Sequence, residues 1–212
     1  MDLEMAKKIV RVSTADRREQ LIDATINVMR RDGVQAATMR AVAAEAGAQL
    51  ATVHYCFEDK DALLAAAIQR WLRAMITDVI SFSTEGGMRS AARQMVEAWW
   101  EALVSTPTDA MAQFELPLWA MRNDKAELAA TIYPSYILEL SEMLSKSLEI
   151  AGESCEWDVD RFSRALLVII DGCSLQYLSD PTSRAKELCD DMLETLLVRA
   201  GISTNTRSTK SA

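Results

Sequence analysis

Residues 38–63 constrain the fold of this chain more than any other stretch, because they predict two short helices joined by a glycine turn. Thr38 is a residue type that caps helix N-termini. The residues behind it recur at the spacing of one apolar helix face: Met39, Val42, Ala43 and Ala46. Gly47 is suited to ending that helix, because glycine accepts the left-handed backbone conformation. Helical spacing resumes over 50–57, so the stretch predicts a helix-turn-helix unit.

The second helix of this unit carries side chains that suit nucleic acid. Thr52, His54 and Tyr55 lie off its apolar face, and Lys60 follows it. All four are donors that can reach phosphates or base edges. Glycine-joined helix pairs also occur in helical proteins that bind no nucleic acid, so the spacing alone leaves both interpretations open.

The rest of the chain is also predicted to be helical. Glycine (7) and proline (4) are sparse among 212 residues, and no period-2 pattern indicates strands. Besides the helix pair, we expect helices over 14–31, 59–82, 89–105, 107–122, 124–151, 157–179 and 181–200. Pro117 and Pro134 fall inside two of these helices and are expected to kink or break them. The predicted fold class is all-α.

Residues 15–75 resemble the N-terminal DNA-binding domain of the tetracycline-repressor (TetR) family of bacterial transcription regulators. The matching residues, in order and spacing, are Arg18, Leu21, Ala24, Gly33, Thr38, Val42, Ala43, Ala46, Gly47, Thr52, Val53, Tyr55, Phe57, Lys60 and Leu63. Two positions depart from the family's pattern. His54 stands where the family usually has tyrosine, and Gln49 stands where it usually has a serine cap. The resemblance implies a three-helix DNA-binding domain over 15–75, a helical ligand-binding and dimerisation domain over 76–200, and flexible termini at 1–14 and 201–212.

The resemblance also implies which side chains contact DNA. Arg40 matches a base-reading arginine, and a guanidinium can bond O6 and N7 of guanine together. Leu50 and Ala51 match positions near base edges, where an apolar side chain can only touch a thymine methyl or fill space. Thr52, Tyr55 and Lys60 match positions that contact the DNA backbone and orient the protein. The full predicted DNA-binding set is Thr38, Arg40, Gln49, Leu50, Ala51, Thr52, His54, Tyr55 and Lys60.

The last two predicted helices carry wide apolar faces, which require burial. Either a second subunit or a deep core within one chain would bury them. The family uses its last two long helices as a four-helix dimer interface, so the resemblance favours a homodimer. The predicted interface residues are Phe162, Leu166, Ile169, Ile170, Leu188, Met192 and Leu196.

Aromatic residues are concentrated in the C-terminal part, where the family places an effector cavity. They are either ordinary core residues or the wall of a site for an unknown small-molecule effector, in which ring faces would attract a cationic or aromatic ligand. The candidate ligand-binding residues are Trp71, Trp99, Trp100, Phe114, Trp119, Tyr133 and Tyr136. The segment around Pro117 also resembles the C-terminal domains of choline-responsive betaine regulators, which sense varied ligands.

The distribution of charged residues and cysteines bears on DNA binding and on metal binding. Residues 1–60 hold equal numbers of basic and acidic residues, so the net charge of −8 lies outside the proposed DNA-binding stretch. Lys7, Lys8, Arg11, Arg17 and Arg18 form a basic N-terminal stretch that suits either phosphate contacts or a solvated tail. The four cysteines form no metal-like pair, and we expect them to be reduced and buried.

These patterns predict a homodimeric regulator, more specifically a repressor, that binds double-stranded operator DNA and needs no cofactor. A lone histidine, His54, makes neither a metal site nor a recognisable catalytic arrangement. No apolar run approaches the length of a membrane span and no signal peptide is apparent, so we expect a cytoplasmic protein. Two alternatives are a helical enzyme and a helical interaction protein without DNA binding.

Overall fold

The structure is a computed structural model that describes residues 13–79 and 86–204. The chain divides into two compact units, Met1–Arg70 and Trp71–Ala212. Within the described ranges, no helix combines the length and the apolar character that crossing a bilayer requires. The helix predicted over 59–82 has its predicted end outside the described residues. Most of the predicted flexible termini also lie outside them.

Over residues 13–70, the first unit holds three helices and the start of a fourth. Helix α1 is Thr14–Asp32, α2 is Met39–Glu45, α3 is Leu50–Cys56 and α4 is Lys60–Val79, with a short 3-10 turn at Val34–Ala36. The side-chain oxygen of Ser13 accepts a hydrogen bond from the Asp16 amide at 3.0 Å and so caps α1. Fully buried apolar residues from all four helices form the core of this unit, among them Leu21, Met29, Val42, Val53 and Leu63.

The second unit is a bundle of helices. Helix α5 is Gly87–Ser105, α6 is Pro107–Arg122, α7 is Ala126–Ala151, α8 is Val159–Ser179 and α9 is Ala185–Arg199. The largest of its fully buried side chains are Phe162, Met88, Leu103, Leu116, Ile132, Leu140 and Leu144. The all-α prediction is confirmed, apart from one short antiparallel pairing between β1, Glu153–Ser154, and β2, Ser203–Thr204.

The flexibility of the ends at 1–14 and 201–212 stays a prediction, although the structure describes the inner edge of both ends. Ser13 and Thr14 belong to the capped start of α1. Residues 201–204 continue past α9, because Ile202 is 5% exposed and its carbonyl accepts from Arg89 Nη2 at 3.1 Å. A single buried apolar residue in a polar stretch thus holds this end in place.

Neither internal proline ends its helix. Helices α6 and α7 run through Pro117 and Pro134, so of the two expected outcomes, a kink or a break, the break does not occur. In α7 the residues after Pro134 bury one face, including Tyr136 and Ile137, and this packing compensates for the lost backbone hydrogen bond.

Helix α9 begins at Ala185 and not at Pro181, where the sequence suggested its first turn. The Asp180 carboxylate accepts hydrogen bonds from the Thr182 amide at 3.0 Å and the Thr182 hydroxyl at 2.6 Å. These bonds hold residues 180–183 in a turn, which delays the helix.

The N-terminus of α5 is capped by a carboxylate from a residue far away in the sequence. Glu153 Oε2 accepts from the Met88 amide at 2.7 Å. Gly87 has a positive φ of 78°, and a Cβ there would lie 2.5 Å from Glu153 Oε1. Glycine is therefore favoured at this position by its backbone conformation, and a Cβ there would have to displace the Glu153 carboxylate.

Candidate nucleic-acid interface and ligand-binding residues

The helix-turn-helix begins with a capped α2. Thr38 Oγ1 accepts from the Ala41 amide at 3.2 Å, so its hydroxyl serves the helix. Arg40 follows in the first turn and is exposed, and no residue within the described ranges pairs with its guanidinium. This leaves the five N–H donors of Arg40 available to a ligand.

The turn between α2 and α3 depends on Gly47. Its φ is +58°, and a Cβ there would meet nothing within 4 Å, so the requirement is conformational and not steric. Gln49 then occupies the N-cap of α3, and its side chain makes no capping hydrogen bond. The departure from a serine cap therefore removes one bond and leaves the helix intact.

Helix α3 presents two different faces. Val53 and Phe57 are buried at 0% and 2% exposure, as their shared spacing indicated. The opposite face carries exposed Ala51, His54 and Tyr55, and Tyr55 is 77% exposed. The remaining members of the predicted set at this helix are half-buried: Leu50, Thr52 and Lys60.

Arg18 fixes the end of α3 from within the same unit. Its Nη1 donates to the Cys56 carbonyl at 2.7 Å, and its guanidinium carbon lies 4.0 Å from the centroid of the Phe57 ring. The bond satisfies a carbonyl at the C-terminus of α3, where a cation is also favoured by the helix dipole. Sequence reasoning grouped Arg18 with a basic stretch and missed this role, since the partner lies 38 residues away.

Two of the candidate ligand-binding tryptophans are core residues with partners. Trp99 Nε1 donates to Ser174 Oγ at 2.8 Å in the interior. The Trp100 ring meets Tyr177 edge-on at a centroid distance of 5.3 Å. For these two residues the structure favours the core interpretation that the sequence left open.

Helix α6 contains two buried polar atoms that lack a partner in the described part of the chain, Gln113 Oε1 and Trp119 Nε1. A buried polar atom without a hydrogen bond costs about 1–3 kcal/mol, so such atoms often mark a place for a ligand or water. Trp71 is also buried, and Phe114 packs half-buried against the core of the second unit.

Tyr133 and Tyr136 lie on α7 beside an acidic residue of α8. Tyr133 Oη donates to Asp171 Oδ2 at 2.7 Å, and the two tyrosine rings meet edge-on at 6.3 Å. Burial raises the pKa of Tyr136 far above its usual value, and the nearby Asp171 raises it further. The sequence did not reveal Asp171, because its neighbours on α8 are mostly apolar.

The predicted dimer-interface residues divide into two groups. Phe162, Leu166, Ile170 and Leu196 are at most 6% exposed within a single chain, so they fill its own core and offer little surface to a partner. Ile169 is nearly buried at 8%, whereas Leu188 and Met192 are 43% and 41% exposed. The predicted interface stays a prediction, and Leu188 and Met192 are its exposed members in the single chain.

Helix α8 carries an exposed apolar stripe whose residues were not in the predicted dimer interface. Val168, Gly172 and Leu175 follow at i, i+4 and i+7, and Val168 and Leu175 are 72% and 48% exposed. A Cβ on Gly172 would meet nothing within 4 Å. Together with Leu188 and Met192, this stripe forms part of the apolar surface that α8 and α9 leave exposed; Val198 on α9 is also exposed, at 68%.

The cysteines are all free, but only Cys173 and Cys189 are buried, while Cys56 and Cys155 are half-buried. The expectation of four buried thiols is therefore wrong for two of them. Cys56 occupies the last turn of α3, where one side of the short helix faces outward. In the described residues no three His, Cys, Asp or Glu side chains gather as a metal site would require.

A helix-turn-helix in one unit, followed by a helical second unit, defines a DNA-binding regulator. The model for the tetR family of bacterial regulatory proteins matches residues 21–67. The chain is 40% identical over 198 residues to the HTH-type nicotine-responsive transcriptional repressor HdnoR of Paenarthrobacter nicotinovorans, which covers 91% of this chain and 100% of that protein. The chain belongs to the tetR family, and it is a transcriptional regulator and not an enzyme.

Two further similarities support the same assignment. The HTH-type transcriptional regulator BetI of Paraburkholderia phymatum is 28% identical over 194 residues, covering 87% of this chain and 94% of that protein. The crystal structure of the multidrug binding protein EbrR complexed with ethidium superposes with a TM-score of 0.66 at 25% identity, covering 85% of this chain and 98% of that chain.

Proposed function

We propose that this protein is a homodimeric repressor that binds a palindromic operator and releases it when a small-molecule effector binds. The observation that carries the proposal is the 40% identity to a nicotine-responsive repressor over nearly the whole chain. The exposed outer face of α3 supports it, since that face has the donors and the exposure that base and phosphate contacts require. Residues 15–75 then form the DNA-binding domain and 76–200 the ligand-binding and dimerisation domain, and the protein acts in the cytoplasm with its DNA.

Direct readout in this proposal relies on few side chains. Arg40 bonds a guanine edge, and His54 donates to a base or phosphate from the exposed face of α3. Leu50 and Ala51 contact a thymine methyl, because they have no polar atoms in their side chains. Thr52, Tyr55 and Lys60 bind phosphates, while Thr38 and Gln49 shape the helix starts that face the DNA.

The homodimer in this proposal uses the open apolar stripe of α8 and the exposed residues of α9. Val168, Leu175, Leu188 and Met192 are each more than 40% exposed in the single chain. The absence of a side chain at Gly172 lets a second helix approach closely. A two-fold dimer then presents two copies of α3 to two half-sites of a palindrome.

The effector in this proposal is a nicotine-like amine. The relative named for its response to nicotine supports this ligand class, and a similar structure holds ethidium, another aromatic cation. Tyr133, Tyr136, Trp71, Phe114 and Trp119 remain candidates for ligand contacts, and the Trp119 N–H, which has no partner among the described residues, is available to a ligand acceptor. Trp99 and Trp100 are less suited, because their polar atom or ring edge is already engaged.

A gel-shift titration on the DNA that flanks the protein's own gene tests the function. We expect one retarded complex of a dimer on a palindromic segment, and its dissociation when nicotine is added. A scrambled palindrome of the same length is the control for non-specific binding, which salt weakens steeply. A folded dimer that binds the scrambled and natural DNA equally would contradict the proposal and favour an interaction protein without specific DNA binding.

A further inference from the structure

A depression between α7 and α8 has the size of a small-ligand site. It encloses about 460 Å³ and is lined by Tyr133, Ile137, Arg164, Leu167, Val168 and Asp171. Pockets for small molecules commonly measure about 300–1,000 Å³. The lining is mostly apolar, and the half-buried Asp171 supplies a carboxylate.

The charge of this carboxylate is not balanced within the described part of the chain. Its hydrogen-bond partner is the neutral Tyr133 hydroxyl, at 2.7 Å. Arg164 lines the same depression, and its Nε donates to Asp160 Oδ2 at 2.8 Å, so another carboxylate engages one of its donors. A partly desolvated carboxylate beside apolar walls favours a cationic partner, and a bound ligand can provide one.

Burial affects the ionisation of the Asp171 carboxyl group. It raises the pKa of Asp171 above the usual value for aspartate, and the Tyr133 hydrogen bond opposes that rise. A bound cation would stabilise the ionised form and lower the pKa again. The empty site is thus less favourable for the carboxylate than a site that holds a positive charge.

The remaining walls suit the body of an organic cation. The rings of Tyr133 and Tyr136 meet at an interplanar angle of 70°, and Tyr133 is 38% exposed. A ring face attracts a positive charge, while Ile137, Leu167 and Val168 offer apolar contact. We propose that this depression binds an organic monocation with an apolar body, with Asp171 as the counter-charge and Tyr133 as a ring wall. Val168 also belongs to the apolar stripe of the proposed dimer, so the depression lies at the edge of that interface. This site would be an effector site of the proposed repressor, so the inference rests on that function.

Isothermal titration calorimetry with two probes of similar shape tests the site. Nicotine carries a protonated pyrrolidine nitrogen at neutral pH, whereas cotinine has the same two rings with an uncharged lactam nitrogen. Wild type should bind nicotine more tightly than cotinine. Asp171→Asn keeps an acceptor for Tyr133 but removes the charge, so it should lower nicotine affinity about tenfold or more and leave cotinine unchanged.

Glu142→Gln is the matched control, because it removes one exposed carboxylate from α7 and should leave both affinities unchanged. Tyr133→Ala is a second variant at a partly exposed position, and it should weaken both probes because both use the ring. If Asp171→Asn does not fold, Tyr133→Ala decides the question. Equal nicotine binding by wild type and either folded variant, or no binding by wild type, would overturn the site.

Gel shifts of the same proteins without ligand separate this inference from the proposed function. Specific operator binding together with Asp171-independent nicotine binding overturns the site and leaves the repressor standing. Nicotine binding that depends on Asp171, without specific DNA binding, supports the site and overturns the repressor.

Discussion

Two exposed arginines of the first unit differ in what they contact. Arg18 donates to the Cys56 carbonyl and stacks on Phe57, so it stabilises the end of α3. Arg40 is exposed at the start of α2, and no partner for it exists in the described residues. The same residue type therefore positions the recognition helix in one case and is available to DNA in the other.

Substitutions at these two positions should separate the two roles. Arg40→Ala should weaken operator binding by about 1–3 kcal/mol and relax the preference at one base pair per half-site. It should leave the melting temperature unchanged, because the side chain has no partner to lose among the residues that the structure describes. Arg18→Ala should lower the melting temperature, since it removes a charge-assisted bond of about 1.5–3 kcal/mol at most. Gel shifts measure the operator affinity, and circular dichroism measures the melting temperature. Operator affinity and base preference that survive Arg40→Ala would refute the assigned base contact.

The thiols should differ in reactivity. Burial, with a smaller contribution from the neighbouring Cys173, raises the pKa of Cys189 to about 12. Alkylation requires the thiolate, so Cys189 stays unreactive in the folded protein at pH 7 and still at pH 9. Mass spectrometry after iodoacetamide treatment should find Cys56 modified first and Cys189 only after unfolding in urea. Rapid native labelling of Cys189 would show that the α8–α9 contact opens easily.

At the scale of elements, periodic apolar spacing was enough to predict most helices and their order. The boundaries of α1, α6 and α8 lie within about two residues of the prediction, because each helix buries one continuous face. The late start of α9 and the β1–β2 pairing were missed. They depend on a side-chain turn at Asp180 and on partners about 50 residues apart, and neither produces a local period.

The same limit applied to the candidate sites. The helix-turn-helix was readable, since its cap, turn glycine and apolar face are adjacent in sequence. Asp171 could not be recognised from the sequence, because its proposed role depends on a contact with Tyr133, which lies on another helix. The core positions Phe162 and Leu166 were assigned to an interface for a related reason, since a helix pattern does not say which neighbour covers a buried face.

The junction of Gly87 with Glu153 offers a test of one element contact. Gly87→Ala forces a Cβ to within 2.5 Å of the Glu153 carboxylate at a positive φ. Gly152→Ala is the control, because Gly152 also has a positive φ but open space around it. Gly152→Ala should cost about 1–2 kcal/mol of unfolding free energy from backbone strain alone. Gly87→Ala should cost more, since it also displaces the carboxylate that caps α5. Equal losses in urea titrations would show that Glu153 moves aside freely.

At the scale of the whole molecule, the proposed dimer should depend on exposed residues of α8 and α9. Met192→Glu places a charge at a position that is 41% exposed in the single chain. The chain should still fold, but the charge should be buried and unpaired in the dimer, which costs several kcal/mol. Sedimentation equilibrium should therefore show a folded monomer at micromolar concentration. Val104→Glu on α5, at 51% exposure, should remain a dimer. A dimeric Met192→Glu would place the interface elsewhere.

The division at Arg70 and Trp71 has a practical consequence for optical experiments. All five tryptophans of the chain, at positions 71, 99, 100, 119 and 157, belong to the second unit, and none belongs to the first. The first unit has a single tyrosine, Tyr55, on the outer face of α3. Ultraviolet light at the long-wavelength edge of the protein's absorption, which tryptophan absorbs, therefore excites only the second unit. Indole emission reports on that unit alone, and a single labelled position near Tyr55 would provide a separate colour for the DNA-binding unit.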